Sequence, residues 1–133
     1  GFKSGLEEHR IPYDIVDTVE AFDDNEDSYK LTRDILMKHP EITGIFVVAG
    51  GVPGAYRAVR ELKRDTIIIL AFDELPEIKQ AVKEGGIGFT IGQEPELQGY
   101  TGVMRLFSWL MEEGKNQPHD YITQTIIKIA DNM

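Results

Sequence analysis

Thr66-Ile67-Ile68-Ile69-Leu70-Ala71-Phe72-Asp73-Glu74-Leu75-Pro76 is the stretch that decides the fold. An apolar run that stops at an acid, with a proline-led helix start directly behind it, reads as a buried parallel strand. The acid then stands at the carboxyl end of that strand, where open α/β sheets take their ligands. Asp73 is therefore the first candidate for ligand contact. An acid in this place also suits the capping of a helix beginning near Pro76.

Working outward, the pattern alternates helix and strand on both sides of this run. Upstream, Thr43 to Ala49 is a second apolar strand, Gly50-Gly51 turns the chain, and Pro53 suits the first turn of a helix. Ala55, Ala58, Val59 and Leu62 then fall on one helical face. Further upstream, Phe2 and Leu6 mark an opening helix ending near His9, and Ile15, Val16 and Val19 predict a strand ending at Phe22. The helix after the acidic turn carries Leu31, Ile35 and Leu36, is capped by Asp27 or Ser28, and stops before Pro40. Downstream, Ile78, Ala81 and Val82 define an inward helix face closed by Gly85-Gly86. Ile87 to Gly92 is a further strand, Leu97 to Met111 is the longest helix, ended by Gly114, and Tyr121 to Ala130 is a final strand. Five strands separated by helices predict an α/β fold: a doubly wound, mostly parallel sheet with helices on both faces, of flavodoxin-like type.

The 133 residues suffice for one core, and 41% apolar with 28% charged residues is an ordinary globular composition. With no cysteine, disulfides and thiolate chemistry are excluded. The net charge of −9 opposes contact with phosphate backbones, so the chain itself is not expected to bind nucleic acid. No window reaches the length of a membrane-spanning helix, and no membrane partner is expected. His9, His39 and His119 lie far apart, without metal-ligand spacing, and His119 is expected in an exposed turn. The long helix is anomalous: nine of the fifteen positions from Leu97 to Met111 are apolar or aromatic, too many for one buried stripe.

Gly1-Phe2 with Gly5-Leu6, Gly44-Ile45-Phe46, Ala71-Phe72-Asp73 and the run Thr90-Ile91-Gly92-Gln93-Glu94-Pro95 through Gly99 occur in an order that resembles one family. It is the second half of the sugar-binding domain shared by lac-repressor-family regulators and type I periplasmic binding proteins. The resemblance implies two α/β lobes joined by crossover strands, with a small polar ligand, usually a sugar, between them. Residues 1–133 would be the carboxyl-terminal part of that two-lobed domain. Residues 94–118 would be an excursion into the amino-terminal lobe, which would explain the over-apolar helix. A first strand and a sugar-contacting arginine would lie upstream of Gly1. A fragment with that strand missing and that helix bare is expected to pair with another copy, as a homo-oligomer.

On the same resemblance, Asp73 would accept two sugar hydroxyls in charge-assisted bonds. Gln93 would lie beside the sugar at a crossover, and Phe22 would stack on the sugar ring, unless it only packs in the core. The family often carries Asn-Asp after the second strand; here Ala49-Gly50-Gly51 offers only backbone groups, so the ligand would be held at Gly50 through amides. No cofactor, metal or enzyme activity is implied, and no nucleophile–base pair or carboxylate dyad is visible.

The leading expectation is the effector-sensing domain of a cytoplasmic lac-repressor-family regulator, touching DNA only through a separate head outside this chain. An extracytoplasmic sugar receptor of a transporter is the alternative. A phosphoacceptor receiver domain, with Asp23-Asp24 as a magnesium-binding pair, is a remote one, and it lacks the lysine that should follow a later strand.

Overall fold

The computed structural model describes residues 1–112 and 120–133. The expected helix end at Gly114, the last part of the 94–118 excursion and the turn at His119 lie outside them.

Helix α1 spans Phe2–Glu8 and α2 spans Asn25–Lys38. Strand β1 (Gly44–Phe46), α3 (Val52–Glu61), β2 (Ile68–Phe72), α4 (Pro76–Lys83) and β3 (Phe89–Gly92) then alternate. Helix α5 (Pro95–Met111) leaves the sheet, and β4 (Ile126–Lys128) returns to it before a short 3₁₀ turn at Ala130–Asn132. The four strands lie in the order β1-β2-β3-β4. The first three are parallel, with Ile45 beside Ile69 and Ala71 beside Thr90. β4 runs antiparallel to β3, with Ile91 opposite Ile127. The sheet is thus mostly parallel and carries helices on both faces, as expected.

Strand alternation divides the two faces. On one, Ile69 and Ala71 of β2 are fully buried in a cluster with Val52 and Val59 of α3 and Ile78, Ala81 and Val82 of α4. Full burial of side chains such as Ile69, Ile78 and Ile87 stabilises the fold by about 1.5–3 kcal/mol each. α2 completes this layer through Leu36. It approaches α3 closely enough that a Cβ on Gly54 would lie 2.0 Å from the Asn25 carbonyl oxygen. On the opposite face the cover is thinner. Phe2 of α1 stacks on Phe46 at 4.7 Å between ring centroids, Phe46 meets Phe72 at 5.9 Å, and Ile68 stays largely exposed.

Three expectations are corrected. Residues 11–21 form no strand, because no other strand lies beside them among the described residues and an extended chain needs a ladder partner. The predicted strand from Tyr121 to Ala130 shrinks to Ile126–Lys128, where pairing with β3 is available, so the sheet has four strands among the described residues rather than five. The cap of α2 is Asp24, not Asp27 or Ser28. Its backbone is extended (φ −87°, ψ 129°), and its Oδ1 accepts from the N–H groups of Glu26 and Asp27, both at 2.8 Å. Ser28 is instead buried against Gly51, where an added Cβ would come within 2.8 Å of its side chain.

Helix α5 differs from every helix of the packed layer. None of its residues is buried; Leu106 is 58% exposed, Leu110 60% and Met111 68%. The chain enters it through Glu94 in the left-handed region (φ 49°), and the Gln98 amide donates to the Gln93 carbonyl at 2.6 Å to hold that turn.

Candidate ligand-binding mouth

The turns that follow β1 and β2 converge with the turn that precedes α2. Between them lies a cavity of about 110 Å³ whose walls include Asp23, Asn25, Gly50, Phe72, Asp73 and Leu75. A larger hollow of about 440 Å³ opens between α3 and α4, floored by apolar groups such as Val52, Tyr56, Ile78 and Ile87. The smaller one is the candidate site, because polar groups from separate loops converge there at the strand ends.

Asp73 is held from two directions. It sits in the left-handed region (φ 73°), a conformation that costs a non-glycine residue about 1–2 kcal/mol. Backbone bonds compensate: its N–H donates to the Ile91 carbonyl at 3.0 Å, and the hydroxyl of fully buried Thr90 donates to its carbonyl at 2.7 Å. Its carboxylate is oriented separately, Oδ1 accepting from Gln93 Nε2 at 2.8 Å. α4 begins at Leu75 without a side-chain cap, so Asp73 is not the helix cap that its position also suited.

Gln93 therefore reaches Asp73 rather than lining the cavity itself, and it carries the hydrogen-bond chain onward through Gln98 to the start of α5. Phe22 is 85% exposed, which removes the core-packing reading; it is not in the lining, although its chain neighbour Asp23 is. Gly50 lines the cavity, but its N–H already donates to Asp23 Oδ1 at 2.7 Å. A Cβ there would come within 2.8 Å of the Asp23 Cβ, so this contact requires glycine. Asp23 thus accepts from Gly50, and Asp24 caps α2. Among the described residues no cluster of three or more His, Asp or Glu could hold a metal ion.

Three contributors were not foreseen. Asp23 was raised only as half of a magnesium-binding pair in the remote receiver reading, not as a partner of Gly50. Thr90 was read only as the start of the Thr90–Gly99 run, without a role of its own. Glu74 lies across Gly92, where a Cβ would come within 2.1 Å of its carboxylate, and it pairs with Lys79 at 3.1 Å and Lys128 at 3.9 Å. It ties the mouth to the returning strand β4.

The periplasmic binding protein domain profile matches residues 1–115. The chain belongs to this family. It is 26% identical over 104 residues to the ribose import binding protein RbsB of Salmonella typhimurium, covering 77% of this chain and 34% of that protein. It is 28% identical over 120 residues to the xylose/arabinose-binding protein XylF of Sulfolobus acidocaldarius, covering 85% and 29% respectively. Among solved structures, the glucose-galactose binding protein GanP of Geobacillus stearothermophilus superposes with a TM-score of 0.89 at 24% identity, over all of this chain and 47% of that one. A solute binding protein of Agrobacterium vitis bound to α-D-tagatopyranose gives 0.85 at 24%, over 98% and 44%. The chain thus spans about a third of the length of the curated relatives and just under half of the solved chains. The periplasmic binding protein fold is established by these matches; a regulator of the lac-repressor type is not among the relatives they name.

Proposed function

We propose that this chain is the carboxyl-terminal lobe of an extracytoplasmic sugar-binding receptor serving a transporter, and that the mouth at Asp73 is its half of the sugar site. This reverses the order of the two readings that the sequence raised, since the relatives at 26% and 28% identity are named as ribose and as xylose or arabinose binding proteins. The observation that carries the proposal is Asp73 at the end of a central parallel strand, its backbone pinned by Ile91 and Thr90 and its carboxylate oriented by Gln93. An acceptor fixed in advance accepts sugar hydroxyls without paying to be ordered on binding. Gln93 orients it, and Phe22 offers an exposed ring for the apolar face of the sugar. Helix α5 belongs, in this reading, to the second lobe, which supports closure of two lobes around the ligand.

The test is Asp73→Ala in the intact protein, titrated calorimetrically with D-ribose, D-xylose, D-glucose and D-galactose. Loss of a charge-assisted hydrogen bond should cost about 1.5–3 kcal/mol for whichever sugar binds. A change below about threefold would show that Asp73 is structural. The regulator reading, with a DNA-binding head and paired subunits, retains one supporting observation. The Ala49-Gly50-Gly51 turn has no side-chain hydrogen-bonding group where the family often has one. A helix-turn-helix encoded upstream would restore that reading, and a signal peptide upstream would exclude it.

A further inference from the structure

We infer that Asp23 decides the charge class of ligand that this lobe accepts, making the mouth selective for hydroxyl- and ammonium-bearing sugars over sugar acids. The inference rests on the sugar-binding reading above and deepens it. The wall formed by Ala49, Gly50 and Gly51 has no side-chain hydrogen-bonding group, and its donor beside Asp23 is the Gly50 N–H. That donor is taken: Asp23 Oδ1 accepts it at 2.7 Å, an approach that Gly50 alone permits. A wall that would have offered a donor to the ligand now presents the rest of a carboxylate.

Across the cavity stands the second carboxylate, Asp73, with one oxygen held by Gln93. The charged groups lining the cavity are these two acids, and no lysine or arginine is among them. Carboxylates only accept hydrogen bonds. A ligand between them must therefore donate, through hydroxyls or a protonated amine, and an anionic ligand meets like charge on two sides.

The experiment uses the intact protein and measures calorimetric affinities for three sets of probes. These are D-glucose, D-galactose, D-ribose and D-xylose; D-glucosamine and D-galactosamine; and D-glucuronate and D-galacturonate. Wild type should bind its preferred neutral sugar at least about tenfold more tightly than either uronate, and the amino sugars at least as tightly relative to their neutral parents. Asp23→Asn keeps an oxygen acceptor for Gly50 and removes the charge. It should narrow the neutral-to-uronate ratio by about tenfold, whatever the change in neutral-sugar affinity itself. Hydrogen exchange at the Gly50 amide, slow in both proteins, checks that the turn is intact.

A ratio unchanged by Asp23→Asn overturns the inference. So does an equal loss for neutral and acidic probes, which would make Asp23 a peg for the turn and nothing more. Failure of wild type to bind any of the eight probes overturns the sugar-binding reading itself, and the inference with it. That outcome is distinguishable because it precedes any comparison of variants.

Discussion

Residues 25–92 and residues 95–112 are comparably supplied with apolar side chains, and the structure treats them in opposite ways. In the first region the apolar positions of α3 and α4 fall on one stripe, and that stripe is buried to within a few per cent against Ile69 and Ala71. In the second, α5 carries apolar groups round most of its circumference and buries none of its residues. The stripe is matched to one neighbour, the sheet. The unstriped helix is matched to neighbours on more than one side, which these residues do not supply. The difference teaches that the core of this chain is self-sufficient only as far as β3. The sequence of α5 is written for an environment reached after the chain leaves the sheet at Glu94.

The sharpest way to break this contrast is to truncate one side chain on each side of it. Ile69→Ala should destabilise the 133-residue chain by about 2–5 kcal/mol, because a fully buried side chain leaves a cavity that its neighbours fill only in part. Leu110→Ala in the same chain should cost less than about 0.5 kcal/mol, as exposed substitutions do. Urea unfolding of both variants reads the difference. On the proposed two-lobed reading, the same Leu110→Ala in the intact protein should cost about 2 kcal/mol or more, because a second lobe would cover α5. A large loss in the short chain, or none in the intact protein, would undo the contrast.

Much of this was legible beforehand, and the limits are physical. The β2 run and the α3 stripe are local patterns, and both were readable residue by residue. Asp73 was legible as a candidate because its place at the strand end follows from the strand alone. Its partnership with Gln93, twenty residues on, was not, because it depends on the β2–β3 register that sets Phe72 beside Ile91. The bond of Asp23 to Gly50 was missed for the same reason, since the two are 27 residues apart in sequence. The apolar residues Ile15, Val16 and Val19 suggested a strand, but a strand is a property of a pair, and no sequence window shows whether the second member is beside it. The direction of β4 was hidden too, since alternation is the same for parallel and antiparallel neighbours.

A smaller effect tests the edge of the packed layer. Three acids and a serine crowd the start of α2, and backbone conformation selects Asp24 among them as the cap. Asp24→Ala should cost about 1 kcal/mol, by loss of the two bonds to Glu26 and Asp27, whereas Asp27→Ala should cost a few tenths at most. Equal losses from the two substitutions would mean that the cap is shared and that the packed layer starts less sharply than the bonds indicate.

The smallest effect concerns the charge pair that clasps α2 to α3. Arg57 donates to both carboxylate oxygens of Glu26, at 2.8 and 3.0 Å, and its guanidinium also lies 4.0 Å from the centre of the Tyr29 ring. The hydrogen bonds from Arg57, and then its charge, hold the Glu26 carboxyl below the usual carboxylate range. A carboxyl that is more acidic in the folded chain stabilises the fold fully above its unfolded value, near pH 4.3 or about there for a free glutamate, and loses that contribution as pH falls through the lowered folded value. Both partners are solvent-exposed, so the contribution is small and falls with added salt. The urea midpoint of wild type should exceed that of Glu26→Gln slightly at neutral pH and low salt, and the gap should close in acid as pH falls through the lowered folded value. A gap that persists in acid would show that Glu26 holds α2 to α3 by shape rather than by charge. The clasp would then belong with the close contact of Gly54 and Asn25, and α2 would be fixed to α3 by packing throughout.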